Sequence, residues 1–427
     1  MSATTPPSAE KSVHPLSIAD YRLFWIARFS AVLATMAMVV IIGWQVYDVA
    51  RSDYGMSPRE AAFQLGLIGV AQFIPLFFLA PVAGWIADRF ERRTVARFAN
   101  SIDMLVALGL GWLTYSDNLT LPALFTMAVT HGVARSFVGP SMSALAPNLV
   151  PLPSLPQAIA LNSIAWQTGS VIGPALGGFL YAAHPALPYW LSAALLALAS
   201  IALSFIKPVR AQVSDRKTHP VRQILNGLTY VKGHRFLLGA ITLDLFAVLL
   251  AGATALLPVY ARDILHVGSE GLGLMRAAPA VGAALVALWF TFRPLRHEVG
   301  LKMLLAVAAF GVVTIIFGLS RNLGLSLLLL SLLGALDMLS VYVRTSLVQL
   351  HTPDDMRGRV SSVSQIAISA SNELGEMQSG FAAALLGPVG AVIFGGAGAV
   401  VVTLIWAYIF PELRQAKNFD PPKEHSS

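Results

Sequence analysis

The sequence predicts an all-α membrane protein with twelve transmembrane helices in two pseudo-symmetric six-helix bundles. The composition, the lengths of the apolar runs and an internal repeat lead to this prediction. Of 427 residues, 56% are hydrophobic and only 12% are charged, with a mean hydropathy of +0.68. Soluble domains carry about 25% charged residues, so this composition indicates a lipid environment. Backbone groups in lipid must be paired internally, which leaves helices or closed barrels.

The apolar runs favour helices over barrel strands, which are about ten residues long and alternate in polarity. A run of about 20 apolar residues crosses a bilayer as a helix. The predicted spans cover 22–48, 64–87, 95–115, 121–147, 157–182, 187–206, 236–259, 268–292, 301–320, 324–348, 359–384 and 388–410. An even number of spans places both chain termini on one side of the membrane.

The distribution of basic residues orients the chain. If the N-terminus is inside, the outer loops hold few basic residues, whereas the inner segments hold most of the others. The basic residues of the outer loops are then Arg51, Arg59, Arg262 and Arg321. Because cytoplasmic loops carry the excess of Lys and Arg, both termini are predicted to lie in the cytoplasm.

The longest gap between spans lies in the middle of the chain and separates six spans from six. It defines a cytoplasmic tail, an N-terminal bundle, a cytoplasmic linker, a C-terminal bundle and a second cytoplasmic tail. These segments cover 1–21, 22–206, 207–235, 236–410 and 411–427. In the linker, apolar residues at helical spacing predict a short amphipathic helix on the membrane surface, with a plain linker as the alternative. These residues are Val221, Ile224, Leu225, Leu228 and Val231.

The two halves of the chain repeat each other. Predicted spans 4–5 align with spans 10–11 at an offset of 202 residues, which places Gly178 on Gly380. Spans 2 and 8 align at an offset of 205 residues, which places Asp88 on Arg293. Related halves with opposite charges at equivalent positions are typical of a carrier that opens to each side of the membrane in turn.

A charged stretch from Gly84 to Arg93, here called the gating loop, follows predicted span 2. Its charges cannot lie in hydrocarbon, so they predict a tight turn at the cytoplasmic surface. Gly84 is expected to let span 2 approach a neighbouring helix closely. Asp88 is expected to end that helix, and the arginines to anchor the turn. These arginines are Arg89, Arg92 and Arg93.

The spacing G-x-x-x-D-R-x-x-R-R of the gating loop resembles the signature loop between helices 2 and 3 of the major facilitator superfamily. The resemblance implies the major facilitator fold, with Asp88 near the N-terminus of helix 11, where the helix dipole favours an anion. It also implies that the loop holds the two halves together and releases them during transport. Glu91 departs from the family pattern, in which glycine is common at this position.

A second motif, G-x-x-x-G-P-x-x-G-G in span 5, resembles the helix 5 signature of the drug/proton antiporter branches. Its residues are Gly169, Gly173, Pro174, Gly177 and Gly178. Glycines four residues apart let helices pack backbone to backbone, and ordinary small-residue packing is the alternative explanation. In the family this helix lines the interface between the halves, and the motif is associated with export.

Three further stretches are similar to members related to the enterobactin exporter. They are 43–48, 134–140 and 352–360, and the resemblance as a whole covers 20–410. It implies a monomeric, proton-coupled exporter of a small amphipathic molecule such as a siderophore or drug, with no cofactor. A lipid or lysophospholipid flippase of the same fold is an alternative, and a non-transporting receptor or scaffold is an alternative from another class.

Charged side chains inside the spans are candidates for coupling and translocation, because each costs about 2.5–3.5 kcal/mol at a helix centre. The candidates are Arg28, Asp103, Arg135, Asp244, Asp337, Glu373 and Glu376. All except the two glutamates lie at similar depths and are expected to meet across the bundle. Our hypothesis is that Asp244, Asp337 or Glu373 changes protonation during transport. The alternative for each residue is a permanent structural ion pair, and Arg28 and Arg344 could instead reach the membrane interface.

Several other classes of function are excluded by what the sequence lacks. It has no cysteine, so we expect no disulfide and no metal site. It has no phosphate-binding loop and no catalytic constellation, which argues against ATP as the energy source and against an enzyme. The net charge of +7 comes from residues scattered through short loops, so we expect no nucleic-acid partner.

Overall fold

The computed structural model describes residues 13–208, 220–293, 295 and 297–419, and no strand occurs in these ranges. The helices of the first half are α1 (Ala19–Ser52), α2 (Pro58–Arg89), α3 (Arg92–Tyr115), α4 (Leu121–Leu145), α5 (Leu155–Ala183) and α6 (Leu187–Phe205). Those that follow are α7 (Pro220–Gly233), α8 (Arg235–Leu250), α9 (Leu257–Val259), α10 (Gly268–Phe292), α11 (Val299–Leu319), α12 (Leu323–Leu350), α13 (Asp354–Leu386), α14 (Pro388–Ile409) and α15 (Pro411–Gln415).

Eight helical segments in these ranges are long and apolar enough to cross a membrane. They are α1, most of α2, α6, the segment Arg235–Ile264, α10, α11, α12 and α14. Four further helices, α3, α4, α5 and α13, have 24, 25, 29 and 33 residues, more than the roughly 20 that a span requires. These four do not reach the same apolarity, so their crossing of the membrane stays a prediction.

The predicted span at 236–259 is not one regular helix, as the sequence had suggested. α8 ends at Leu250, and the chain continues through a 3-10 turn, α9 and a π-helical turn that ends at Ile264. At the break, a Cβ on Gly252 would lie only 2.7 Å from the Gly375 carbonyl oxygen, so this close approach to α13 requires glycine. Hydrophobic periodicity cannot show the break, because both sides of it are equally apolar.

The helices form two halves with matching arrangements. In the first half, α2 packs on α4, α3 packs on α4 and α6, and α1 packs on α5 and α6. In the second half, α10 packs on α12, α11 packs on α12 and α14, and α8 packs on α13 and α14. Two further contacts, of α2 with α13 and of α5 with α10, join the halves. If the helices of one half are replaced by the matching helices of the other half, each of these contacts corresponds to another contact in the set.

The outer surface of the bundle is apolar. Phe98 on α3, Phe205 on α6 and Leu404 on α14 are 68%, 72% and 64% exposed. Leaving such a side chain in water, instead of burying it, forfeits about 1.5–3 kcal/mol. A surface covered by such residues is therefore stable only in hydrocarbon, which agrees with the composition.

The linker contains α7, which packs against the second half. Val231 of α7 is buried, and Leu228 packs against the same small core of α8, α12 and α13. A Cβ on Gly227 would lie 2.7 Å from the Arg359 carbonyl oxygen, so α7 and α13 are in backbone contact. Leu225 is exposed. The side chains of Val221 and Ile224 lie outside the described residues.

Candidate functional site

Glycines bring the two halves into contact near one end of the bundle. A Cβ on Gly178 of α5 would lie 2.9 Å from the Cα atom of Gly273 in α10. A Cβ on Gly66 of α2 would lie 3.1 Å from the Cα atom of Gly380 in α13. In the sequence, the offset of 202 residues between the two halves aligns Gly178 with Gly380. The two glycine contacts therefore lie at similar places in the two halves, although the offset of 205 residues pairs Gly66 with Gly271 and not with Gly273.

The same end carries charged side chains that join α1 to the π-helical turn after α9. Arg262 forms an ion pair with Asp48. Asp263 accepts a hydrogen bond from Arg51 Nε at 3.1 Å and another from the buried Tyr47 hydroxyl. We call the glycine contacts together with these five residues the closed end. Asp48 and Asp263 were not among the residues predicted from the sequence. Each lies at the end of an apolar run close to an arginine, and this pattern could have identified them.

The glycine motif of α5 faces two partners. Gly169, Gly173 and Gly177 pack against α1, and a Cβ on Gly173 would lie 2.9 Å from a backbone carbonyl oxygen of that helix. Gly178 instead faces α10, and Pro174 is buried between the halves, with its carbonyl oxygen against α10. Most of the motif thus serves packing within the first half, and its last part serves contact between the halves.

The gating loop lies at the opposite end of α2 from the closed end. Arg92 donates a hydrogen bond to the Ala144 carbonyl at 2.8 Å, and Arg93 donates one to the Ile206 carbonyl. Both carbonyls are at C-terminal ends of helices, where the helix dipole favours a cation. Glu91, the departure from the family pattern, accepts a hydrogen bond from Arg93 Nε at 2.6 Å. The loop is thereby fastened to α4 and α6 of its own half.

Gly84 does not make the close helix contact that the sequence predicted. Among the residues that the structure describes, nothing lies within 4 Å of a Cβ built on Gly84. Gly84 follows Gly66 by 18 residues, which is five helical turns at 3.6 residues per turn, so both glycines lie on one face of α2. This face contacts α13 at the closed end and has open space at the other end. The close helix contact predicted at Gly84 is therefore absent from the described part of the chain in this conformation.

Arg89 of the gating loop contacts an aromatic ring of the same helix. The guanidinium of Arg89 lies over the ring of Trp85, 4.7 Å from the ring centroid. Trp85 is 47% exposed, so this pair lies at the surface. The side chain of Asp88 lies outside the described residues, so its expected position near α13 stays a prediction.

The buried charges of the first half form contacts among α2, α3 and α4. His131 Nδ1 lies 2.5 Å from Asp103 Oδ1, and both side chains are buried. His131 Nε2 has no hydrogen-bond partner among the described residues. Arg135 donates a hydrogen bond to Gln72 Oε1 at 3.3 Å. His131 is therefore a hydrogen-bond partner of Asp103.

Arg28 lies apart from these groups, on α1. Its guanidinium lies over the ring of Trp166 in α5, 5.5 Å from the ring centroid. Arg28 Nε is buried without a hydrogen-bond partner in the described part of the chain. Trp166 is 45% exposed, so the pair presents an aromatic face beside a cation.

The second half holds two separate charged groups. Asp244 of α8 forms an ion pair with Arg344 of α12, with side chains 8% and 3% exposed. The alternative in which Arg344 reaches the membrane interface is not seen, because this ion pair holds Arg344 inside the bundle. Arg276 of α10 lies 3.8 Å from Glu376 of α13. The side chain of Glu373 lies outside the described residues.

Of the charged residues expected to meet across the bundle, Asp244 and Asp337 line one cavity in the second half, whereas Arg28, Asp103 and Arg135 lie in the first half and contact partners there. Asp103 pairs with His131, and Asp244 pairs with Arg344. The expectation was wrong on this point because it used only depth along each helix, and depth does not fix the direction in which a side chain points. No group of three potential metal ligands occurs among the described residues.

The family model described as transmembrane secretion effector matches residues 10–425. The enterobactin exporter EntS of Citrobacter koseri is 27% identical over 409 residues, which cover 94% of each protein. The enterobactin exporter EntS of Escherichia coli O1:K1 is 26% identical over the same share of both chains.

Solved structures of transporters are similar in fold. A bacterial homologue of the human lysosomal transporter Spinster, in an inward-facing and occupied conformation, has a TM-score of 0.70 and 13% identity, covering 93% of this chain and 97% of that one. A D-xylose-proton symporter has a TM-score of 0.69 and 15% identity, covering 92% and 98%. These similarities confirm the predicted major facilitator fold.

Proposed function

We propose, from the premise that this chain belongs to the transmembrane secretion effector family of major facilitator transporters, that it exports a small amphipathic molecule of the siderophore class. The enterobactin exporters are similar along almost their whole length, which supports this class of substrate. We further propose that protons entering the cell drive export, and that the transporter works as a monomer in the bacterial inner membrane with both termini in the cytoplasm.

The observation that carries this proposal is the difference between the two ends of α2. At the closed end, Gly66 contacts Gly380, and ion pairs join α1 to the second half. At the other end, Gly84 lies on the same face of α2 with open space beside it. We propose that this is the conformation open toward the cytoplasm, from which an exporter takes up its substrate.

In the second conformation of the cycle, the contacts of the closed end would separate and the opposite ends would meet. The free face at Gly84 would then pack against α13, as the face at Gly66 does here. Because Arg92 and Arg93 are bonded to α4 and α6, the gating loop would move with the first half as one body. We propose that Asp88 then lies near the start of α13, as the family resemblance implies.

A charged and aromatic pair supports an amphipathic substrate. The Arg28 guanidinium can attract an anionic group, and the exposed face of Trp166 can stack on an apolar ring. Their position on α1 and α5 places them on the helices that pack against each other through the glycine motif. We propose that this pair contacts the substrate in the first half.

Replacing Asp88 with Asn tests the gating loop. We expect the variant to reach the membrane in normal amounts and to lose at least about tenfold in efflux, because a neutral amide forfeits the attraction to a helix N-terminus. Efflux of enterobactin from cells that express equal amounts of each variant is the measurement. The exposed Asp117→Asn is the matched control and should keep wild-type efflux. Undiminished efflux in Asp88→Asn would contradict the role of the loop.

Replacing Asp263 with Asn weakens the closed end. The carboxylate accepts from Arg51 and Tyr47, and its loss should shift the population toward the outward-open conformation by roughly threefold to tenfold. The chain has no native cysteine, so a single Ser269→Cys substitution reports access to this end. We expect faster labelling of Cys by a membrane-impermeant thiol reagent in whole cells.

The control for this experiment is Asp53→Asn, which removes an exposed carboxylate at the same end of α1. It should leave the labelling rate unchanged. Equal labelling in Asp263→Asn and Asp53→Asn would show that the ion pairs do not stabilise the closed end.

A further inference from the structure

A small cavity in the second half brings two carboxyl groups together. It is lined by Asp244 of α8, by Asp337 and Ser340 of α12, and by apolar residues that include Val307 and Phe310 of α11. Its volume is about 20 Å³. A cavity of about 10–15 Å³ holds one water molecule when polar partners are present. The cavity therefore has room for a single water in contact with both carboxyl groups.

The two carboxyl groups differ in their surroundings. Asp244 is buried and has Arg344 as its own cation. Asp337 has no ion-pair partner within the described part of the chain, and part of its surface is accessible to solvent. Arg276 of α10 and Glu376 of α13, on two of the helices packed against α12, form a separate pair. Among the described residues, the ion pair at the cavity thus has one cation, Arg344, beside the two carboxyl groups of Asp244 and Asp337.

We propose that Asp337 is the residue that carries the transported proton, while Asp244 and Arg344 remain a permanent ion pair. This inference rests on the proposed function and names its coupling residue. With Asp337 protonated, the three side chains have zero net charge. With Asp337 ionised, they have a net charge of −1 in a largely apolar setting, which is costly.

In each transport cycle, one O–H bond forms on Asp337 and the same bond later breaks. When the transporter is open to the outside, water delivers a proton and an O–H bond forms on the Asp337 carboxylate. When it is open to the cytoplasm, that bond breaks and the proton returns to water. A water molecule held in the cavity would lie beside Asp244, Asp337 and Ser340, so it would contact both carboxyl groups and relay the proton. One proton enters the cell in each cycle.

Asp337→Asn tests this assignment in proteoliposomes, with enterobactin as the probe. We expect the variant to lose at least tenfold in enterobactin accumulation driven by a pH gradient. It should keep exchange of labelled enterobactin at equal concentrations and pH on both sides, because exchange moves no net proton. Asp337→Glu should restore part of the gradient-driven accumulation. Asp117→Asn, far from the cavity in an exposed turn, should behave like the wild type.

A second measurement does not need the substrate. Infrared difference spectra between mildly acidic and alkaline pH should show the carbonyl band of a protonated carboxyl group in the wild type and not in Asp337→Asn. Gradient-driven accumulation in Asp337→Asn equal to that of wild type would overturn the assignment and leave the proposed function intact. Loss of both exchange and accumulation in a folded variant would overturn it as well. A wild type that accumulates enterobactin without any pH gradient would instead refute proton coupling itself.

Discussion

Replacing Arg344 with Met is expected to cause the largest loss of stability of any single substitution considered in this protein. The side chain is 3% exposed and pairs with Asp244, whose own side chain is 8% exposed. Removing one partner of a buried pair leaves the other charge uncompensated, which costs about 3–5 kcal/mol. Thermal unfolding of purified protein in detergent, followed by size-exclusion chromatography, should show a large decrease in the midpoint.

Two controls separate the ion pair from the loss of an arginine. Arg414→Met removes an exposed arginine of α15 and should leave the unfolding midpoint unchanged. The double variant Asp244→Asn/Arg344→Met removes both charges and should recover most of the stability, because no unpaired charge remains. A single Arg344→Met variant as stable as wild type would show that Asp244 does not depend on this guanidinium.

Replacing Gly178 with Leu is expected to have the largest effect on transport. A Cβ at this position would lie 2.9 Å from the Cα atom of Gly273, and the backbone of α10 cannot move away as a side chain can. Overpacking of this kind costs about 1–3 kcal/mol or more. Because the closed end must form once in each cycle, we expect efflux to fall by roughly tenfold to a hundredfold.

Gly139→Leu is the matched control for this substitution. Gly139 of α4 has nothing within 4 Å of a built Cβ, so the same side chain meets no backbone there. Efflux of enterobactin at equal expression is the measurement, and labelling of Ser269→Cys from outside should rise in Gly178→Leu. Normal efflux in Gly178→Leu would mean that the halves can close without this contact.

Only part of the structure of the gating loop could be predicted from the sequence. The charge pattern predicted a turn between two helices, and α2 and α3 do end and begin around Phe90–Glu91. The predicted close contact at Gly84 is absent because it depends on which conformation the halves adopt. A transporter has at least two conformations of low free energy, and one sequence encodes both.

The sequence identified buried charged residues but not the partners with which they pair. Asp103, His131, Asp244 and Arg344 could all be found as polar residues within apolar runs. Their partners could not be found, because pairing depends on helix rotation and on which helices are neighbours. Similarly, the acids of the closed end lie at the ends of apolar runs, but their partners are about 210 residues away in the chain, as the pair of Asp263 with Arg51 shows.

The sequence alone determined that this chain is helical, that it lies in a membrane and that it has two related halves. These properties follow from composition and repetition, since hydrocarbon requires every segment to pair its own backbone groups. Only the tertiary structure decided which glycines join the halves, which charges pair and which end of the bundle is closed. These features depend on contacts of a few ångströms between distant segments, which the order of residues does not specify directly.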